Sequence, residues 1–314
     1  MNLWIQHPAW LTVALAAAGY SQIAPAFRSN VEVVAIPCAV VDERGASVSG
    51  IQREEFSVFD NGVRRIIENL WVDTDAPLTL GVIIDASESQ RDQLEDHRRT
   101  ALALLDRILR PGDQAFVISV DTEVRLWADL TTTSREVQEQ MAGRPGALFG
   151  EPCPNTRQST PGLKPVPVCG SSPLWNAVYD AARLKLRSIT GSKALLILTD
   201  GFDSGSTHTW HQAADELHKA DAAAYAIPYP SGLGGKYAPD LYRVVNEAGG
   251  TTFSAPRGDY GPIVARIEAD LRQRYVIGFR PEKLNRELRH DVRVEVSRPG
   301  LSVRARKVYF EVPQ

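Results

Sequence analysis

The sequence has few of the residues and motifs that mark several common classes of functional site. It contains three cysteines in 314 residues and no Cys-x-x-Cys pair, which argues against a zinc site built from thiolates. It has no His-Glu-x-x-His motif, and residues 45–50 (GASVSG) lack the Gly-x-Ser-x-Gly spacing of serine hydrolases. With a net charge of −3 and no long basic run, the chain has no electrostatic sign of a nucleic-acid partner.

The sequence also has no apolar run long enough to cross a bilayer as a helix, and we expect no transmembrane segment. Its apolar residues 8–20 (PAWLTVALAAAGY) resemble the central region of a secretory signal, and Ala24-Pro25-Ala26 fits a small-x-small cleavage site. We therefore expect residues 1–26 to form a signal peptide and the protein to be exported to the periplasm, the cell surface or the medium. Residues 1–7 contain no Lys or Arg, unlike most signals, so a first helix of the mature protein stays the alternative.

What the sequence does contain is a block of alternating strands and helices between two β-rich ends. The apolar run 78–84 is typical of a strand buried on both faces, and helical and strand patterns alternate after it. This predicts an α/β fold with a doubly wound, mainly parallel sheet over residues 78–271. Residues 30–74 and 272–314 are strand-like, with a hairpin turn at Asp60-Asn61-Gly62, and are predicted to form together a small β-sandwich into which the α/β domain is inserted. The strands expected at these two ends span residues 31–41, 55–59, 63–72, 275–279, 291–296 and 302–310.

Oxygen-bearing side chains follow the predicted strands where ligands collect in such a sheet, at the carboxyl ends. Asp85, Ser87 and Ser89 alternate directly after the apolar run 78–84, Ser172 opens a helix, and Asp200 follows the apolar run LLIL. Alternate residues of an extended segment point to one side, so the first three side chains are expected to share a face. An oxygen-only set suits a hard cation, Mg²⁺ or Mn²⁺, with Ca²⁺ as a further candidate.

These residues resemble the metal-ion-dependent adhesion site of von Willebrand factor type A (VWFA) domains, whose pattern is Asp-x-Ser-x-Ser, then a distant Thr and a distant Asp. Asp85, Ser87 and Ser89 match the first element, Ser172 stands at the Thr position, and Asp200 matches the last. Residues 54–70, 275–281 and 303–310 extend the similarity to bacterial exported "VWFA-related" proteins, which are frequent in acidobacteria.

The resemblance implies a function in protein binding or cell adhesion and no catalysis. In that family the hydroxyls contact the cation directly, the aspartates often act through water, and a partner protein supplies an Asp or Glu carboxylate. Two departures bear on this chain. Ser172 lacks the methyl group of Thr, and Glu88 occupies a position where relatives commonly carry a small residue, so it either points away or competes with the incoming acid.

The sequence also allows other interpretations. Asp85 to Ser89 could cap the following helix, although one cap needs only one such residue. His208, His211 and His218, with Asp215, could bind zinc from one helix face, but a solvated polar face is the more common outcome. A metal-dependent hydrolase would need a base near the cation, for which Asp203 and Glu88 are the candidates. A purely structural envelope component, in which the metal only stiffens loops, is a third interpretation.

The cysteines lie in two settings. Cys153 and Cys169 flank the Pro-rich segment 144–170, and in an exported protein they can form a disulfide that closes it. Cys38 lies in a predicted strand and is expected to be a buried thiol.

Overall fold

A computed structural model describes most of the chain, and several sequence predictions fall outside the described part. The described residues are 33–142, 156–157, 166–167, 172–229, 239–254, 260–281 and 289–310. They all belong to one compact unit, residues 32–314. The expected signal peptide at residues 1–26 and the expected Cys153–Cys169 disulfide lie outside them. No helix in the described segments is long and apolar enough to cross a membrane.

Strands and helices alternate through the middle of the described chain, and strands alone occupy both ends. The strands are β1 (Val34–Asp42), β2 (Phe56–Asp60), β3 (Val63–Arg65), β4 (Ile67–Asp73), β5 (Leu78–Asp85), β6 (Gln114–Val120), β7 (Val124–Thr131), β8 (Thr156–Arg157), β9 (Val166–Pro167), β10 (Ser192–Thr199), β11 (Ala222–Pro228), β12 (Arg274–Phe279), β13 (Arg289–Val296), β14 (Leu301–Ala305) and β15 (Val308–Phe310). The helices are α1 (Leu94–Ile108), α2 (Ser134–Ala142), α3 (Leu174–Asp180), α4 (Trp210–Ala220), α5 (Pro239–Glu247) and α6 (Gly261–Arg272). Short 3₁₀ turns at Arg53–Glu55 and Glu88–Gln93 and a π-helical segment at Ala181–Leu186 complete the order.

The central sheet has five strands in the order β11-β10-β5-β6-β7. Its first four strands are parallel, and β7 returns antiparallel to β6 as the hairpin pattern predicted. In the register, Ile84 of β5 lies opposite Leu198 of β10, so these two strands end side by side. The predicted α/β fold with a mainly parallel sheet is confirmed.

Strand β5 is buried along its whole length because helices cover both faces of the sheet. Val82 and Ile84 pack in one hydrophobic cluster with residues of α1 and α6, and Ile83 packs in a second cluster with residues of α3, α4 and α5. Gly81 lies against the ring of Phe116, and a Cβ at this position would be 2.4 Å from that ring. The middle strand is therefore fixed tightly between two helical layers.

Two antiparallel sheets are built from strands on both sides of the α/β block in the sequence. Their orders are β14-β1-β12-β4 and β15-β13-β2-β3. One hydrophobic cluster joins them, with Ile36 and Ile277 from the first sheet and Val58 and Val292 from the second. Cys38 lies in this cluster as a free buried thiol, as expected, and burial raises its pKa to about 12. The thiol is therefore protonated at neutral pH.

The predicted Asn-Gly hairpin is present, but two predicted strands are each divided. Asn61 and Gly62 have φ angles of 49° and 81°, as a tight turn between β2 and β3 requires. The predicted strand 63–72 breaks at Ile66, because β3 pairs with β2 in one sheet whereas β4 pairs with β12 in the other. The predicted strand 302–310 breaks in the same way between β14 and β15, which also belong to different sheets.

A buried ion pair ties the last helix to the amino end of the central sheet. The guanidinium of Arg272, at the end of α6, bonds the carboxylate of Asp113 and also donates to the Ile108 carbonyl over 3.1 Å. The same carboxylate accepts the backbone N–H groups of Leu78 and Arg110, at 2.8 and 2.7 Å. Asp113 thus joins α1, β5 and α6 at one buried point.

We expect Asp113→Ala to lower the free energy of unfolding by about 3–5 kcal/mol, because it leaves a buried guanidinium without its counter-charge. Denaturant unfolding measures this. The matched control is Asp129→Ala, which removes a carboxylate that is 59% exposed and 2.6 Å from the Lys185 ammonium; its cost should be about 0–1 kcal/mol. Equal losses in the two variants would contradict the importance given to the buried pair.

Candidate metal centre

The carboxyl ends of β5 and β10 bring two of the predicted aspartates into one buried cluster. Strand β5 ends at Asp85, and β10 ends at Thr199, directly before Asp200. The Ala86 N–H donates to the Val120 carbonyl over 2.7 Å, which holds the start of the loop after β5 against the end of β6. The loops that carry the predicted ligands therefore leave the sheet at one edge, as the α/β pattern predicted.

Asp85 is fully buried and joins the two strand ends. Its Oδ1 accepts the Ser87 N–H at 3.0 Å, and its Oδ2 accepts the Thr199 hydroxyl at 2.6 Å. Burial raises the pKa of Asp85 to about 6, although hydrogen bonds from Ser87 and Thr199 oppose the rise. A carboxylate held away from water in this way is stabilised by any positive charge that comes close to it.

Ser87, Ser89 and Asp200 form a chain of polar contacts. The hydroxyls of Ser87 and Ser89 are 3.1 Å apart, and the Ser89 hydroxyl donates to Asp200 Oδ2 over 2.8 Å. The other oxygen of Asp200 accepts the Phe202 N–H at 3.0 Å. The alternation of small polar residues after β5 thus places both serines together, as the sequence predicted.

Ser172 is joined to the segment that follows Asp200. Its N–H donates to the Ser204 hydroxyl over 3.0 Å, and its carbonyl accepts the Ser204 N–H at 2.9 Å. The Ser172 residue is 5% exposed, and its hydroxyl oxygen has no hydrogen-bond partner among the described residues. A buried hydroxyl without a partner is costly unless something else binds it.

The donor set fits a hard cation. It comprises hydroxyls from Ser87, Ser89 and Ser172 and carboxylates from Asp85 and Asp200, with no sulfur or imidazole among the predicted ligands. The described residues hold no group of three or more His, Cys, Asp or Glu that could bind a metal, so a centre in this part of the chain needs hydroxyl ligands. The unpartnered Ser172 oxygen is the structural sign that favours such a centre.

The alternative interpretations fit the structure less well. Helix α1 begins after Gln93, which makes no side-chain capping bond, so Asp85, Ser87 and Ser89 do not cap it. His208 stacks on Tyr179 and His211 stacks on Trp210, and the described residues hold no cluster of His, Cys, Asp or Glu that could bind zinc. The expected solvated histidine face is wrong for one residue, because His218 is only 3% exposed.

The two candidates for a general base lie in the loops after β10 and β5. Asp203 Oδ1 accepts the N–H of Trp175 at 3.1 Å and the hydroxyl of Ser206, so it anchors the start of α3 to the Asp200 loop. The Glu88 backbone begins the 3₁₀ turn at Glu88–Gln93, but its side chain lies outside the described part of the structure. The Asp203 carboxylate therefore has a structural role in holding α3 against this loop.

Sequence reasoning missed three residues that surround the centre. Thr199 holds Asp85, and Gln90 contacts Asp200 through its side-chain amide at 3.1 Å. The imidazole of His97, on α1, lies 3.1 Å from the Asp85 carbonyl, and burial lowers its pKa to about 4, so it is neutral. His97 follows Leu94 and precedes Ala101 at helical spacing, and that signal could have placed it on the buried face.

No protein-family model matches the chain, and no curated protein matches it. Among similar solved structures is proximal thread matrix protein 1 (PTMP1) from the mussel byssus with a zinc-occupied MIDAS motif, at 12% identity and a TM-score of 0.47, covering 68% of this chain and 49% of that one. BatB from Bacteroides thetaiotaomicron is 14% identical, with a TM-score of 0.40 and coverage of 62% and 97%. The SpRpn10 VWA domain is 13% identical, with a TM-score of 0.39 and coverage of 62% and 94%. The chain spans about half the length of the PTMP1 structures it matches.

The raised pKa of Asp85 predicts how the stability of the metal-free protein depends on pH. Asp85 in the unfolded chain ionises near pH 3.8, whereas in the folded protein it keeps its proton up to about pH 6. The free energy of unfolding in EDTA should therefore fall by up to about 3 kcal/mol as the pH rises from about 4 to about 6. Asp85→Asn cannot ionise and should lack this part of the pH dependence. Denaturant unfolding across this range compares the two proteins, and parallel curves would contradict the prediction.

Proposed function

We propose that this chain is an exported, metal-dependent protein-binding domain in which a divalent cation captures an Asp or Glu carboxylate of a partner protein. The observation that carries the proposal is the buried Ser172 hydroxyl without a partner, on a backbone joined to the Asp200 loop. Its oxygen is suited to a cation because the hydroxyls and carboxylates around the same loops offer only hard ligands. Export is proposed from the sequence pattern of residues 8–26.

The proposed ligands are the hydroxyls of Ser87, Ser89 and Ser172, with Asp85 and Asp200 acting directly or through water. Mg²⁺ is the proposed cation, with Mn²⁺ or Ca²⁺ as substitutes. When bound, the cation supplies positive charge that a partner carboxylate can meet. When the two aspartates act through water, the direct ligands of the cation are neutral hydroxyls, and a further anionic ligand is still attracted. Thr199 keeps Asp85 in place by its 2.6 Å hydrogen bond, and this fixes the ends of both strands.

Binding is proposed in preference to catalysis because the candidate base whose side chain the structure describes already accepts two hydrogen bonds. Asp203, one of the two candidates, is held by Trp175 and Ser206 at the start of α3. A hydrolase needs a base that can take a proton from water or substrate. The exposed side chain of Phe202, 46% accessible and two residues after Asp200, instead offers an apolar contact for a protein partner.

We expect Mg²⁺ or Mn²⁺ to bind the wild-type chain and to fail to bind Asp85→Ala or Asp200→Ala, because each removes a carboxylate from the centre. Isothermal titration calorimetry measures binding, and circular dichroism checks that both variants are folded. Asp240→Ala is the control, since Asp240 pairs with Arg243 on α5 at the surface and should not change cation affinity. No heat with the wild-type chain at millimolar cation would overturn the proposed metal centre.

Partner capture should require the cation, the partner carboxylate and the apolar surface beside them. We expect the immobilised chain to capture its partner from envelope extract in Mg²⁺ but not in EDTA. Neutralising the partner's contacting acid should abolish capture. Phe202→Ala should weaken capture by about 1–3 kcal/mol, as truncation of an aromatic contact residue does, while cation affinity stays unchanged. Capture that persists in EDTA, or that survives neutralisation of every partner acid, would leave the metal only a structural role.

A further inference from the structure

Gln90 is a fully buried polar residue beside the centre that the proposed ligand set does not use. It lies in the 3₁₀ turn at Glu88–Gln93, and its exposed fraction is 0%. Its side-chain Nε2 donates to Asp200 Oδ2 over 3.1 Å and lies 3.3 Å from the Ser89 carbonyl. Gln90 thus contacts both neighbouring elements of the centre, the loop after β5 and the loop after β10.

The orientation of this amide is determined by its neighbours. Both contacts of Nε2 are to oxygen acceptors, so reversing the amide would put Oε1 against a carboxylate and a carbonyl. In the observed orientation, Oε1 is buried and has no partner among the described residues. An amide buried with an unsatisfied acceptor is unfavourable for stability alone, since an apolar side chain of similar length would fill the space without that cost.

The benefit of Gln90 lies in what it does to Asp200. Asp200 Oδ2 accepts from both Ser89 and Gln90, whereas Oδ1 accepts only the Phe202 N–H among the described contacts. Two donors on one oxygen restrict rotation of the carboxylate. The bond from Gln90 comes from a residue outside the ligand set, so cation binding to the Ser89 hydroxyl does not compete with it.

We propose that Gln90 is a positioning residue of the cation centre, which holds the Asp200 carboxylate and the Ser89 backbone in the arrangement that binds the metal. This inference rests on the proposed metal centre and adds a residue to it. Hydrogen-bonding residues outside the ligand set typically change metal affinity about 10–100-fold when they are replaced. Gln90 should therefore affect cation affinity more than it affects the metal-free fold.

The first test replaces the amide by an apolar chain of similar length. We expect Gln90→Met to unfold in EDTA at nearly the wild-type temperature and to bind Mg²⁺ about 10–100-fold more weakly by calorimetry. Gln138→Met is the matched control, because Gln138 is exposed on α2 and should change neither quantity. A purely structural role would lower the metal-free unfolding temperature and leave the increase caused by Mg²⁺ unchanged.

A second variant keeps the shape of the Gln90 side chain and is expected to change the Mg²⁺-dependent increase in unfolding temperature in the opposite direction. Gln90→Glu places an acid within hydrogen-bond distance of Asp200, so repulsion should destabilise the metal-free protein and the cation should relieve it. The increase in unfolding temperature on adding Mg²⁺ should then be larger than in the wild type, whereas in Gln90→Met it should be smaller. The comparison of Gln90→Glu with the wild type does not require Gln90→Met to fold well.

The outcomes separate this inference from the proposed function. Opposite changes of the Mg²⁺-dependent increase in the two variants would support Gln90 as a positioning residue. If the wild type binds Mg²⁺ and both variants bind it with wild-type affinity and the same increase, the inference is wrong and the metal centre stands. If the wild type binds no cation in calorimetry, the proposed function and this inference are both overturned.

Discussion

The hydrogen bond from the Thr199 hydroxyl to the Asp85 carboxylate, 2.6 Å long and fully buried, is the contact on which the candidate centre depends. It joins the ends of two parallel strands whose register already places Ile84 opposite Leu198. The register of the two strands fixes where each following loop starts, and the hydrogen bond keeps the two loops from separating. The serines after β5 and Asp200 after β10 can then meet without a long flexible connection.

The two ends of β5 hold buried charge in different ways. At the amino end, Asp113 is neutralised by Arg272 and by backbone N–H groups, so the charge is balanced within the chain. At the carboxyl end, Asp85 accepts hydrogen bonds but has no cationic partner among the described contacts, and burial raises its pKa. Between these ends the strand is apolar and packed on both faces. The apolar core thus separates the paired carboxylate of Asp113 from the carboxylate of Asp85. A cation would be stabilised at the Asp85 end of the strand.

The polar residues around the centre make different structural contacts. Asp203 fastens α3 to the loop, and neutral His97 contacts the Asp85 carbonyl from α1. These contacts hold the loops in place, and the neutral imidazole of His97 adds no charge that would repel an acidic partner. Phe202 leaves its ring exposed while its N–H holds Asp200. An exposed aromatic side chain thus lies two residues after Asp200.

Local pattern was enough to predict β5 as a doubly buried strand, the Asn61-Gly62 turn and the alternation of Asp85, Ser87 and Ser89, since each depends on neighbours in the sequence. It could not show that the chain changes sheets at Ile66. Strand β3 pairs with the neighbouring β2, whereas β4 pairs with β12, which lies far away in the sequence. It also could not identify Gln90, whose contact with Asp200 spans 110 residues. The sequence by itself determined which oxygen-bearing side chains follow the predicted strands and that β5 is buried. Only the tertiary structure decided which neighbouring side chains hold them, because such contacts come from strand register and loop packing, and neither leaves a periodic trace in the sequence.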